Sequence, residues 1–260
     1  MVRNWGVLIF IALSLSWGSE SGTLSYRAQQ SLAAGKWAKS YVQLEKALLA
    51  TRKESDLLAE GRVLITMAQV RTQSLDFILA DSLLSIVRVT ELDSASIVAL
   101  TQAKMALYNA QERYKETINL AASISKTMLN RAPDLLQGNF WSENALALMA
   151  LKKTDEADSV FKKAKKELSQ NKGKVLFIEA QLSHLRGDLS VADSLYAESA
   201  SWAIKQNNTY VSAAILFYRA QIALQQKNES VAVDYLKRSA QAFELMGLPN
   251  NQKRSEALIP

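Results

Sequence analysis

Ala80-Asp81-Ser82-Leu83-Leu84, Ala157-Asp158-Ser159-Val160-Phe161 and Ala192-Asp193-Ser194-Leu195-Tyr196 are three versions of one phrase. Twelve residues before each stands a small residue: Ala68, Ala145 and Ala180. The same offset joins Ala28 to Ser40 and Ala220 to Ala232, and more weakly Met105 to Thr117. The second members fall at 40, 80, 117, 157, 192 and 232, in steps of 40, 37, 40, 35 and 40 residues. A step in the range of roughly 20–50 residues is the mark of a stacked-repeat chain. In each second segment the marker is followed at +4 and +7 by apolar or small residues, as in Ala157, Phe161 and Ala164, which lays one stripe along a helix. A two-helix unit cannot bury its apolar faces alone, so its neighbours must stack on it.

The spacing predicts paired antiparallel helices: Leu24–Ala34 with Trp37–Ala50, Leu57–Thr72 with Leu75–Thr90, Ala95–Ala110 with Arg113–Leu129, Phe140–Leu151 with Thr154–Leu168, Lys174–Arg186 with Leu189–Lys205, and Thr209–Gln225 with Glu229–Met246. Gly35 and Gly187 read as helix exits, where positive φ carries no Cβ penalty. Asp188 is placed to cap the helix after it. Asp93-Ser94, Pro133-Asp134 with Gly138, Asn171-Lys172-Gly173 and Asn207-Asn208 read as breaks between units. The fold class is therefore all-α, an α-solenoid of about six two-helix repeats. One domain spans residues 19–249, and residues 250–260 form a capping helix or a tail.

The chain of 260 residues carries a net charge of +6 and no cysteine. That excludes disulfides, thiolate nucleophiles and Cys-based metal sites. Met1-Val2-Arg3-Asn4, the apolar run Trp5–Leu15 and the small-residue exit Ser16-Trp17-Gly18 have the three parts of a secretory signal peptide, with cleavage after Gly18, Ser19 or Ser21. An uncleaved anchor is the alternative, although the run is shorter than the ~20 residues of a membrane span. Residues 1–18 are thus assigned as a signal peptide, and the chain as exported, periplasmic or attached to the cell envelope. Loss of Arg3 without any acid lowers the mature charge by one, to +5.

On Ala28, Gly35, Trp37, Leu44 and Ala47, on Ala68, Phe77, Ala80 and Leu84, on Trp141, Ala145, Ala157, Phe161 and Ala164, and on Ala180, Gly187, Ala192 and Tyr196, the chain resembles the tetratricopeptide repeat (TPR) family over about residues 23–246. Its third unit is degenerate, with Thr117 where Ala is usual. The steps of 37 and 40 exceed the family's ~34 residues, and the Pro usual between repeats is mostly missing. The resemblance implies a right-handed superhelix whose first helices line a concave face, a face that binds an extended peptide or a partner's helix, and no catalysis.

Gln follows the first-helix marker at Gln29, Gln69, Gln181 and Gln221. Amides donate and accept, so a ladder of them suits peptide backbone; the alternative is bonding between adjacent helices or exposure to solvent. By the geometry of the resembled family, Arg62, Asn109, Lys174 and His184 join the candidate groove. His184, the only histidine, reads as a polar residue near a helix end, and a lone His without Cys leaves no transition-metal site. Lys162, Lys163, Lys165, Lys166, Lys172 and Lys174, after Lys152 and Lys153, form the densest basic patch, a solvated face or a peripheral contact to a membrane or acidic polymer. Lys163 and Glu167 are spaced as an i, i+4 pair, and aromatic interleaving is slight, so nucleic acid is not expected. Asp81-Ser82, Asp158-Ser159 and Asp193-Ser194 are expected to make polar contacts between units. Trp37, Tyr114, Phe161 and Tyr196 read as core, and Trp202, Tyr210 and Tyr218 as partner-facing candidates. No phosphate loop, nucleophile elbow or zinc-binding His pair occurs.

The expectation is a non-enzymatic interaction scaffold or adaptor of the bacterial cell envelope, without cofactor, bound to a protein or peptide. The alternatives are a self-associating structural envelope protein and a membrane-anchored subunit of an envelope complex.

Overall fold

The computed structural model describes residues 19–260; the segment assigned as a signal peptide lies outside them. Among the described residues all regular structure is helical. Helices pair along the chain: α1 (Glu20–Ala33) with α2 (Trp37–Glu54), α3 (Leu57–Gln73) with α4 (Phe77–Ser85), α5 (Ser94–Ala110) with α6 (Tyr114–Ser123), α8 (Asp134–Ala150) with α9 (Thr154–Glu167), α10 (Lys172–Arg186) with α11 (Leu189–Lys205), and α12 (Thr209–Gln225) with α13 (Glu229–Leu245). Between them stand a 3₁₀ turn at Val89–Glu91 and the short α7 (Lys126–Asn130), and α14 (Pro249–Glu256) packs on α13. Pairs stack consecutively, α3 on α5, α5 on α8 and α8 on α10 among the first helices.

The twelve-residue markers are the packing contacts of this stack. Ala28 and Ser40, Ala68 and Ala80, Met105 and Thr117, Ala145 and Ala157, Ala180 and Ala192, and Ala220 and Ala232 are all 0% exposed. Small side chains let helix backbones approach, and Thr117 uses its hydroxyl to donate to the Met105 carbonyl at 3.3 Å. The turn that follows recurs as well. Seven residues past each first marker stands a residue with positive φ: Gly35 (71°), Leu75 (60°), Glu112 (64°), Lys152 (63°), Gly187 (102°) and Lys227 (60°). A left-handed residue ends each first helix, at a cost of about 1–2 kcal/mol where it is not glycine.

Several helix starts are fixed by side-chain caps. Asp93 Oδ1 accepts from the Ser96 amide at 2.8 Å, Asn171 from Lys174 at 3.3 Å and Asn208 from Val211 at 3.1 Å, each satisfying an amide with no partner inside its helix. Asp188 holds the N-cap position of α11 but makes no side-chain cap bond. Gly138 and Gly173 do not break helices. They lie inside α8 and α10, where a Cβ would stand 2.5 Å from Leu168 Cγ and 2.7 Å from Trp202 Cβ, so they are points of close helix approach.

The ends of the described chain meet. Tyr210 of α12 donates to the Gln73 carbonyl at 3.1 Å and Asn251 of α14 to the same oxygen at 3.0 Å. Asn250 reaches the Ser74 carbonyl at 3.3 Å, and the Trp37 and Tyr210 rings lie 4.8 Å apart. The C-terminal segment is thus a helix that both caps α13 and touches the end of α3. Beside this seam a cleft of about 420 Å³ opens between Trp37, Tyr41, Arg71, Asp76, Leu248 and Pro249. Its guanidinium is already engaged, lying 3.6 Å from the Tyr41 ring centre and 3.5 Å from Asp76.

Candidate functional site

The candidate residues sit on the first helix of each pair, at fixed offsets from the marker. Arg62, Asn139 and Lys174 each stand six residues before one; Gln69 and Gln181 stand one after; Asn109 and His184 stand four after. These offsets fall on one side of a helix with 3.6 residues per turn. Gln69, Asn109, Lys174, Gln181 and His184 are buried, while Gln29, Arg62 and Gln221 are half-buried.

Most of the bonds run between successive first helices. Gln69 Nε2 donates to Gln102 Oε1 of α5 at 3.1 Å. Asn109 of α5 donates to Glu143 of α8 twice, at 2.8 Å to Oε2 and 2.9 Å to the main-chain oxygen, and accepts from Thr117 at 2.8 Å. Lys174 of α10 donates to Asn139 of α8. Gln181 donates to the Tyr218 hydroxyl of α12 at 3.1 Å. Arg62 ties α3 to the start of α5 through Ser96 and Asp93, at 3.0 and 2.8 Å.

Two of these groups carry charge where there is little water. Glu143 is 3% exposed, and burial raises its carboxyl to about 7 against the pull of Asn109 and Lys174. Lys174 is 5% exposed, and burial lowers its ammonium to about 7 against the pull of Glu143. His184 is pushed down to about 4, first by burial, so the ring is neutral at pH 7. Its Nε2 lies 3.1 Å from Gln225 Nε2; with the amide as donor, Nδ1 carries the proton. Glu143 and Lys174, two shifted ionisable groups brought together where α8 meets α5 and α10, mark a candidate functional site.

The structure therefore brings Asn109 and Lys174 together around Glu143 and joins Gln69 to Gln102. It sets Gln181 and His184 into an aromatic group: Tyr196 and Tyr218 stack at 5.4 Å, and Phe177 meets both edge-on at 5.7 Å. Gln29 and Arg62 stay apart from these clusters. Glu143, Asn139 and Gln102 are members the sequence reading missed; the offset of six shared by Asn139 with Arg62 and Lys174 was the available signal. Tyr210 and Tyr218 are buried core and not partner-facing, while Trp202 is half-buried. Two of the three repeated Asp residues bond the next unit as expected: Asp158 pairs with Arg186 at 2.6 Å, and Asp193 takes both prongs of Arg219 at 2.7 and 3.0 Å.

The basic patch differs from its expected form in three ways. Lys174 is inside and does not belong to it. Glu167 pairs with Lys166 at 3.5 Å, whereas Lys163 lies 4.6 Å over the Trp141 ring. Aromatics do interleave: Lys165 lies 5.5 Å over Phe161, and Lys172 and Lys205 lie 5.9 and 5.4 Å over Trp202. Among the described residues no group of acids and histidine is arranged to hold a metal ion, and no helix is long and apolar enough to cross a membrane. No known protein-family profile matches the chain, and no curated protein is detectably similar to it.

Proposed function

We propose that the chain is a non-enzymatic scaffold for protein–protein interaction in the bacterial cell envelope. It is exported by its N-terminal segment and built as a right-handed superhelix of about six tetratricopeptide-like repeats. It holds a peptide or helix of its partner along the first helices of the repeats, needs no cofactor, and works by presenting a preorganised surface whose ordering cost is met on folding.

One observation carries this reading. Along those helices several buried polar atoms have no hydrogen-bond partner: Gln102 Nε2, Asn139 Nδ2, His184 Nδ1 and Gln221 Oε1. A buried polar group left unpaired costs about 1–3 kcal/mol. Three donors and an acceptor, one each on α5, α8, α10 and α12, are of the kinds that a peptide main chain pairs with.

The test purifies the tagged full-length chain from cross-linked envelope fractions beside an Asn139→Ala/Gln221→Ala variant of unchanged circular dichroism. A distinct protein recovered with the parent and lost from the variant is the expected result. The same protein retained by the variant moves the binding surface elsewhere and overturns the reading. Recovery of the chain alone, with a mass that rises with concentration, replaces it with a self-associating structural protein.

A further inference from the structure

The cleft beside the Gln73 seam lies on different elements from the polar row. Three stretches far apart in the chain wall it: the first turns of α2, the end of α3 with the turn after it, and the start of α14. Its volume of about 420 Å³ falls within the roughly 300–1,000 Å³ of small-molecule sites. Two of its lining residues are charged, Arg71 and Asp76, and the others are neutral. Arg71 stands in the last turn of α3, where the helix dipole favours a cation, and Asp76 caps α4, so both positions have structural reasons. Their hydrogen-bonding capacity is largely unspent. Among the described residues Arg71 donates no side-chain hydrogen bond: Nε has no partner, and Nη1 stops 3.5 Å from Asp76, beyond the ~2.7–2.9 Å of a charge-assisted bond. One Asp76 oxygen accepts from the Leu79 amide at 3.4 Å, and the other has only that loose pair. The Trp37 indole Nε1 on the same wall is also without a partner. The Arg71 side chain keeps 28% exposure, so its guanidinium can be met from the cleft.

We propose that this cleft binds a free α-amino acid with an apolar side chain, its carboxylate on Arg71, its ammonium on Asp76 and its side chain toward Trp37, Leu248 and Pro249. The charges of the wall select this class. A simple anion drawn to the guanidinium would also face the Asp76 carboxylate, and a simple cation drawn to Asp76 would face Arg71. A zwitterion satisfies both. Arg71 and Asp76 lie side by side, and an α-amino acid carries its two charges on one carbon. The two ends of a peptide are at least one residue apart, ~3.8 Å between successive Cα atoms, and fit this spacing less well. Opposite the charged pair the wall offers an indole edge, a leucine and a proline, which suit an apolar side chain. The ligand would touch α2, the end of α3 and the start of α14 together, so its binding would hold the seam closed. The proposal is independent of what the polar row binds.

The test is isothermal titration of the full-length chain with L-phenylalanine and L-leucine. Beside them run analogues that lack the ammonium (3-phenylpropionate and 4-methylpentanoate) and analogues that lack the carboxylate (phenethylamine and isopentylamine). Saturable binding of at least one amino acid is expected, with a rise in melting temperature at saturation. Its two analogues are each expected to bind at least about tenfold more weakly, because each leaves one charged group of the wall unmet. Arg71→Gln breaks no hydrogen bond, and Asp76→Asn keeps an oxygen for the α4 cap. Each variant is expected to weaken the amino acid about tenfold or more. Arg71→Gln should also erase the preference for the amino acid over its amine, and Asp76→Asn the preference over its carboxylic acid. No saturable binding of either amino acid at about 10 mM would overturn the proposal. So would equal binding of an amino acid and its two analogues, which would make the cleft a merely apolar one. Binding of the carboxylic acid as tight as that of the amino acid would assign the cleft to a simple anion instead. Binding unchanged in both variants would place the ligand elsewhere and would overturn it too.

Discussion

Lys174 and Phe177 stand about one turn apart on α10, and they look into different chemistry. Lys174 faces α8 through Asn139, in a region where α5 and α8 meet over Asn109 and Glu143. Phe177 faces α11 and α12 over stacked tyrosines. In both regions the marker positions are fully buried and the first helices end on left-handed turns. Architecture and chemistry are therefore carried by different residues. The markers set how the helices stack, and the positions beside them are free to hold a charged cluster in one place and a ring cluster in the next.

The largest effect is expected on the aromatic side. Phe177→Ala removes a ring that is 0% exposed and leaves a cavity between α10, α11 and α12. A loss of about 3–5 kcal/mol in urea denaturation is expected; a loss below about 1 kcal/mol would mean that the rings do not hold these helices together. On the polar side, Asn109→Ala takes the side-chain donor from Glu143 and leaves the Thr117 hydroxyl only its longer bond to the Met105 carbonyl. It should cost about 2 kcal/mol, less than the ring because only hydrogen bonds and a small volume are lost.

The two regions should differ more sharply in their response to pH. The Glu143 carboxyl is raised above its ordinary value, so its folded form is favoured by low pH, and that contribution is lost as pH climbs to about 7. The Lys174 ammonium is lowered, so its contribution is regained as pH climbs from about 7 toward its ordinary value. Together they make the native state least favourable near neutrality. Relative to a Glu143→Gln/Lys174→Met variant, the parent is expected to lose most melting temperature near pH 7 and less at pH 5 and pH 9. A difference that is flat in pH would show that neither group is shifted. Phe177→Ala should carry the same penalty at every pH.

The smallest changes test what the regions share. Lys152 ends α8 with φ 63° and Gly187 ends α10 with φ 102°. Lys152→Gly is expected to stabilise by roughly 0.5–1 kcal/mol, less whatever its exposed bond to the Leu185 carbonyl contributes. Gly187→Ala, with no atom within 4 Å of the added carbon, is expected to destabilise by about 1 kcal/mol through backbone conformation alone. Thermal melts of the two variants should move in opposite directions.

The shared layer was the legible one. The helices Leu189–Lys205 and Thr209–Gln225 run between the residues that spacing and breakers indicate. Two second helices are shorter than the apolar period implies. α4 stops at Ser85, before the β-branched Ile86, Val87, Val89 and Thr90, which lose rotamer freedom in a helix. α6 stops at Ser123, because Ile124 is extended and the Ser125 hydroxyl caps α7. The site was legible in half. Gln181 follows from its offset to the marker, and Lys174 and Asn109 from the geometry that the family resemblance implies. Asn139 and the reach of α8 toward Lys174 were hidden by Gly138, which reads as a breaker in a string of letters and is a contact surface for Leu168 in three dimensions. Whether a glycine ends a helix or admits a neighbour depends on a residue 30 positions away, and no local pattern contains it.

The seam at the Gln73 carbonyl has a consequence for how the chain comes apart. In a linear array every unit senses only its neighbours, so terminal units fray independently and unfolding spreads inward. Here one oxygen receives groups 137 and 178 residues away. Such contacts add long-range terms to an otherwise local contact map. They slow the search for the native state and couple the first units to the last. Opening the end of α3 and detaching α14 break a shared bond, so these two segments should lose amide protection together rather than in sequence.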